Sequence, residues 1–226
     1  MTIQRISSAT NNGTTITLGT HAKGDLIVYV AANDAATIAT LPSGVSFLVS
    51  RSDSGASTRV GYYIADSSSE TVGTSGWANA DNVTAIVYRA ASGSIIHPRF
   101  VSQNAAGSSA TLNFANQNSI TGVNSFPFQV ADLWHVGIAF QINTTNDLGG
   151  KPPTGMSNVI RSITSTAELA VHDTNATATA AWPSTNVFVP TPARYQSYVL
   201  ELLEIETKIA AGGGGTFNPL QHPLIG

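Results

Sequence analysis

Two nearly continuous apolar runs constrain this chain most: LIVYVAA from Leu26 to Ala32 and WHVGIAF from Trp134 to Phe140. Both are short, rich in β-branched and aromatic residues, and closed by turn formers, which is the signature of strands. A strand with one wet face would alternate apolar and polar residues. These do not alternate, so both of their faces must be covered.

Each run opens a series, and the two series agree in order. The first reads GDLIVYVAAN, LPSGVSFLVSRSDS, TRVGYYIAD, SGWANA and TAIVYRA. The second reads ADLWHVGIAF, PPTGMSNVIRSIT, AELAVHDT, TAAWPS and SYVLELLE. Asp25-Leu26 matches Asp132-Leu133, Pro42-Ser43-Gly44 matches Pro153-Thr154-Gly155, and Trp77 matches Trp182. The offset stays between about 105 and 112 residues, far longer than a solenoid period. We read a duplication inside one domain, with pseudo-repeats at about 24–91 and 131–204. Two sheets meeting similar packing demands would give the same pattern.

The stretch between the repeats predicts further strands at IIHPRFVSQ, TLNFANQ and FPFQV. SYVLELLEIETKIAA carries apolar residues at helical spacing, but its place in the repeat favours a strand through Leu200 or Leu202. Ten to twelve short strands in 226 residues predict an all-β fold. The expected architecture is a two-sheet antiparallel, jelly-roll-like β-sandwich over residues 1–209, followed by an extended tail at 210–226.

Charged residues make up 10 % of the chain, against an ordinary level of about 25 %. Net charge is −3, and lysine occurs only at Lys23, Lys151 and Lys208, so no basic surface for nucleic acid is expected. There is no cysteine, which excludes disulfides and thiolate metal sites. MTIQRISSATNNGTT has no apolar h-region, so no Sec-type signal peptide is expected, and no run is long enough to span a membrane.

Motifs for chemistry are sparse. No GxSxG elbow occurs, and the five histidines form no HxH or HExxH pattern. His172-Asp173 reads as a turn-proximal pair. Most acids, among them Asp34, Asp53, Asp66, Asp81, Asp147 and Asp173, fall in apparent turns. Carboxylates distant in sequence could still meet in space as a glycosidase pair. Asn143 to Asp147 and Asn79 to Asn82 bunch oxygen ligands without the spacing of a calcium loop, so polar hairpins are expected there. Trp77 and Trp182 are candidates for stacking on a sugar ring, weighed against closing the ends of the core. The expectation is no enzyme activity, no cofactor and no metal.

The C-terminus is the distinctive element. Gly212, Gly213, Gly214 and Gly215 form a tether or hinge. Beyond it, Phe217, Pro219, Leu220, His222, Pro223, Leu224 and Ile225 form an apolar anchoring peptide. Its prolines lower the cost of ordering it on a partner.

GDLIVYVA, LPSGVSFL, VGYYIAD, TSGWANADNVTAIVYRAA, PPTGMSNVIRS, AVHDT and SYVLELL together resemble a set of tailed-bacteriophage virion surface proteins. The resemblance covers about residues 24 to 204. It rests on strand and turn patterns, and it departs where an LPxGW motif becomes Leu41-Pro42-Ser43-Gly44-Val45. The resemblance implies a β-sandwich on the particle surface, made in the bacterial host cytoplasm and carried in the virion. It also implies a multicopy or homo-oligomeric decoration, cement or fibre-type protein, with capsid or tail subunits as partners. The apolar peptide behind glycines is similar to the anchoring tails of phage accessory proteins. The alternative is a receptor- or carbohydrate-binding module that takes a host-surface glycan. Neither nucleic acid nor membrane is expected as a partner.

Overall fold

The computed structural model describes residues 3–53, 55–91 and 93–206. Ten strands form two five-stranded sheets. The first half supplies β1 (Gln4–Asn12), β2 (Leu26–Asn33), β3 (Ser46–Asp53), β4 (Ala56–Ile64) and β5 (Asn82–Arg89). The second supplies β6 (Ser94–Phe114), β7 (Val130–Ile142), β8 (Ser157–Ile163), β9 (Ala167–Asp173) and β10 (Thr185–Glu206). The orders are β1-β5-β2-β4-β3 and β6-β10-β7-β9-β8, the same topology twice, with every neighbour antiparallel. β1 packs on β8 and β3 on β6, the reciprocal contacts of two similar halves facing each other.

The expected sandwich is present. A jelly roll passes the chain back and forth between its sheets, whereas here each half of the chain builds one whole sheet. The repeat also takes in β1 and β6, which the sequence pattern had left outside it.

This topology explains the apolar runs. In each half, the strand order makes several connections start at one end of the sheet and finish at the other. In the first half these connections cross the outer face as coil. Leu26, Val28, Val30 and Ala32 point inward to the core shared with Trp134, Val136, Ile138 and Phe140. Ile27, Tyr29 and Ala31 point outward, under Ile16, Ala39, Val45 and Trp77 of the crossing segments. The second half buries its outer face beneath Leu148, Met156, Trp182, Val187 and Val189. Both faces of β2, and of β7 from Asp132 onward, are therefore buried.

The matched turns are the same structure. The Val45 N–H donates to the Pro42 carbonyl at 3.2 Å, and the Met156 N–H to the Pro153 carbonyl at 2.9 Å. Gly44 and Gly155 sit at φ +84° and +83°. A β-bulge follows each turn, between Phe47 and Val49 and between Asn158 and Ile160. Following the ladders from these turns makes Val49 equivalent to Ile160, Val60 to Val171 and Val30 to Ile138. Asp25 thus corresponds to Leu133, not to Asp132. The sequence match was one residue out of register, and one residue reverses the face a side chain points to.

The middle stretch differs from expectation. IIHPRFVSQ and TLNFANQ belong to one long strand, β6. FPFQV is mostly loop, and only Val130 enters β7. The ambiguous segment near the end is strand, as expected, and runs beyond Leu202 to Glu206, while its residues 207–211 lie outside the described residues.

Candidate functional site

The polar chemistry of the described residues is largely spent on joining chain segments. Arg5 of β1 pairs across the sheets with Asp173 of β9, which also accepts from the Tyr88 hydroxyl at 3.2 Å. Burial pushes the Asp173 carboxyl up despite the guanidinium beside it. Asp173 is thus a buried strand residue, not part of a turn. Its neighbour His172 is buried too, and desolvation lowers its pKa to about 4. Asp53 likewise lies in β3, where it accepts from Gln196 of the other sheet at 2.8 Å and from Arg51 at 3.0 Å.

Ser119, His135 and Glu201 come together on the outer side of the second sheet. Ser119 Oγ donates to Glu201 Oε1 at 2.8 Å, and His135 Nε2 lies 3.1 Å from the same oxygen. A catalytic triad needs the acid on one imidazole nitrogen and the nucleophile on the other. Here both meet Nε2. The serine oxygen also accepts from the Trp182 N–H at 2.6 Å. Arg99 binds the other Glu201 oxygen at 2.6 Å. Burial raises the Glu201 pKa, but hydrogen bonds from His135, Ile120 N–H and Ser119 outweigh it and hold it below the ordinary value. The cluster fastens the loop before β7, and Trp182, onto β7 and β10.

Trp77 and Trp182 are 0 % and 2 % exposed. Trp77 Nε1 donates to the Gly73 carbonyl, and its ring lies 5.7 Å from that of Tyr29. Trp182 Nε1 donates to the Phe114 carbonyl, and its ring lies 5.5 Å from that of His135. Each closes the outer side of one sheet, so neither offers a ring face to a sugar. Among the described residues the exposed aromatics are instead Phe188, at 71 %, and Phe47, at 56 %, which the Arg59 guanidinium covers at 5.9 Å. Sequence inspection missed both, because a lone Phe in an apolar strand looks like core.

The two oxygen-rich turns are internally committed. Asn146 bonds Gln141 and Thr191, and Asp147 pairs with Arg161. Asn82 is buried and bonds Asn12 and Ser162, while Asp81 accepts the Asp34 N–H. Among the described residues, no group of three or more His, Cys, Asp or Glu is placed to hold a metal. No described helix is long and apolar enough to cross a membrane.

The tether at Gly212 to Gly215 and the anchoring residues Phe217, Pro219, Leu220, His222, Pro223, Leu224 and Ile225 lie outside the described residues. The structure does show what carries them. β10 is a central strand: Glu204 and Ile205 pair with Ile96 and Ile95 of β6 on one side, and with Asp132 and Val130 of β7 on the other. Beside this end, Phe126 and Phe128 stack at 5.2 Å, in an apolar cluster with Val130, Leu133, Leu203 and Ile205.

No family model, no curated protein and no solved structure matches this chain.

Proposed function

We propose that this chain is a non-enzymatic structural component of a tailed-phage virion, a surface decoration, cement or fibre-type protein attached through its C-terminal peptide. One observation carries the reading: the chain leaves for residues 207–226 from a central strand. From Arg194 to Ile205, β10 is flanked by β6 on one side and β7 on the other. A pull on the peptide along the strand loads those ladders in shear, many bonds at once, instead of peeling an edge. That is the construction an anchored module needs. The outer faces are covered by the chain's own crossing segments and, on the second sheet, also by Val187 and Val189 of β10, which suits a passive surface component.

The test is deletion of residues 211–226 with expression beside assembling particles. The expected result is an unchanged melting temperature and loss of incorporation. Incorporation at the full level would overturn attachment through the peptide.

A further inference from the structure

We infer that the outward face of the β6–β10 ribbon binds a neutral sugar, with Phe188 as its stacking ring. This goes beyond attachment and stands independently of it.

The ribbon is where the two halves part company. β6 and β10 have 21 and 22 residues, against 9 and 8 in their counterparts β1 and β5. The extra length runs past β7: Thr185–Phe188 pair with Phe114–Thr111 and with no other strand. Leu112, Phe114, Val187 and Val189 turn inward to the core of the second sheet. Asn186, Phe188, Asn113 and Thr111 occupy the other face, as two directly opposed pairs: Asn186 with Asn113, and Phe188 with Thr111.

Burial does not explain Phe188, since most of its ring faces water. Its neighbours are suited to a polyol. Asn113 Nδ2 donates to Asn186 Oδ1 at 2.8 Å, which orients both amides. The Asn186 side-chain N–H groups and Asn113 Oδ1 then remain for ligand hydroxyls, while the Asn113 backbone carbonyl accepts from the Ser197 hydroxyl. The ladder jumps from Phe188–Thr111 to Ala193–Ser109, so Val189–Pro192 bulges out directly after the ring. Pro190 and Pro192 stiffen that bulge, and bulges re-aim side chains.

Size and charge select the ligand. A stable protein interface buries on the order of 800 Å² per partner, far more than one phenyl ring and its polar neighbours present. A pyranose face matches a single ring, which stacks on its C–H surface while the amides meet its hydroxyls. Neither Ala110–Phe114 nor Thr185–Pro192 contains a charged residue, which points to an uncharged sugar.

A glycan array probed with the full chain, followed by titration of the retained glycans, tests this. Wild type, Phe188→Ala, Phe188→Tyr and Phe47→Ala are compared. Wild type, Phe188→Tyr and Phe47→Ala should bind the same neutral glycans. Phe188→Ala should bind about tenfold more weakly or not at all, as loss of one aromatic stacking contact implies, with its melting temperature unchanged. A silent array, equal binding by Phe188→Ala, or a signal confined to charged glycans and lost in salt would overturn the inference. None of these outcomes bears on particle incorporation, which the tail deletion reads.

Discussion

Arg5 and Asp173 are 168 residues apart in the chain, yet one Arg5 Nη1 lies 2.8 and 2.9 Å from the two Asp173 carboxylate oxygens. The pair ties the edge strand of the first sheet to the second. Removing Arg5 leaves a buried carboxylate with the Tyr88 hydroxyl as its remaining side-chain donor. Arg5→Ala should therefore destabilise the fold by roughly 2–4 kcal/mol in chemical denaturation. The Asp173 pKa is already raised in the fold, so the folded state holds the proton more tightly than the unfolded chain. That contribution is fully present below pH 3.8 and is lost as pH rises through the folded pKa. Without Arg5 the window should extend to higher pH. Asp173→Asn in the Arg5→Ala background should remove it, and an unaltered pH profile would refute the assignment.

His172 has the opposite sign. Its folded pKa, near 4, lies below the ordinary 6.5, so the unfolded chain takes up the proton first as pH falls. Its contribution is intact above pH 6.5 and is lost progressively down to about pH 4, by about 3 kcal/mol at most. His172→Gln should flatten the stability profile between pH 4 and 6.5 relative to wild type. Parallel profiles would show that the ring is not the proton acceptor.

The buried tryptophans should behave as core. Trp77→Ala and Trp182→Ala should each cost about 3–5 kcal/mol, read from urea midpoints. Any glycan signal should survive in whatever fraction remains folded. Near-neutral stability for either change would mean that the ring is not closing its sheet.

The two repeat-equivalent turns offer an internal comparison. An alanine at Gly155 meets nothing within 4 Å, so it bears only the left-handed backbone penalty, about 1 kcal/mol. At Gly44 the added Cβ would also lie 3.0 Å from Val72 Cγ1. Gly44→Ala should therefore lower the melting temperature more than Gly155→Ala does. The reverse order would contradict the packing of the crossing segment on that turn.

The tail was legible as the distinctive element, because four glycines before an apolar, proline-punctuated peptide stand out in any sequence. Phe188 was not legible. Its outward position depends on how far β6 and β10 extend beyond β7, and no local pattern encodes that.

The sequence by itself determined that the chain is all-β, roughly where the strands of the two repeats lie, that the two apolar runs have no wet face, and that two Pro-x-Gly turns recur. These are local facts: alternation, β-branched content and residues that tolerate positive φ act over a few neighbours. Only the tertiary structure decided the true register of the repeat and the merging of two expected strands into β6. It alone set the burial of both candidate tryptophans, the exposure of Phe188 and the Arg5–Asp173 pair. Each of these depends on which segments, not adjacent in the chain, come to lie against one another, from Phe188 opposite Thr111 to Arg5 beside Asp173. Strand pairing is selected by the packing of whole faces, and one residue of slip reverses every side chain on the strand.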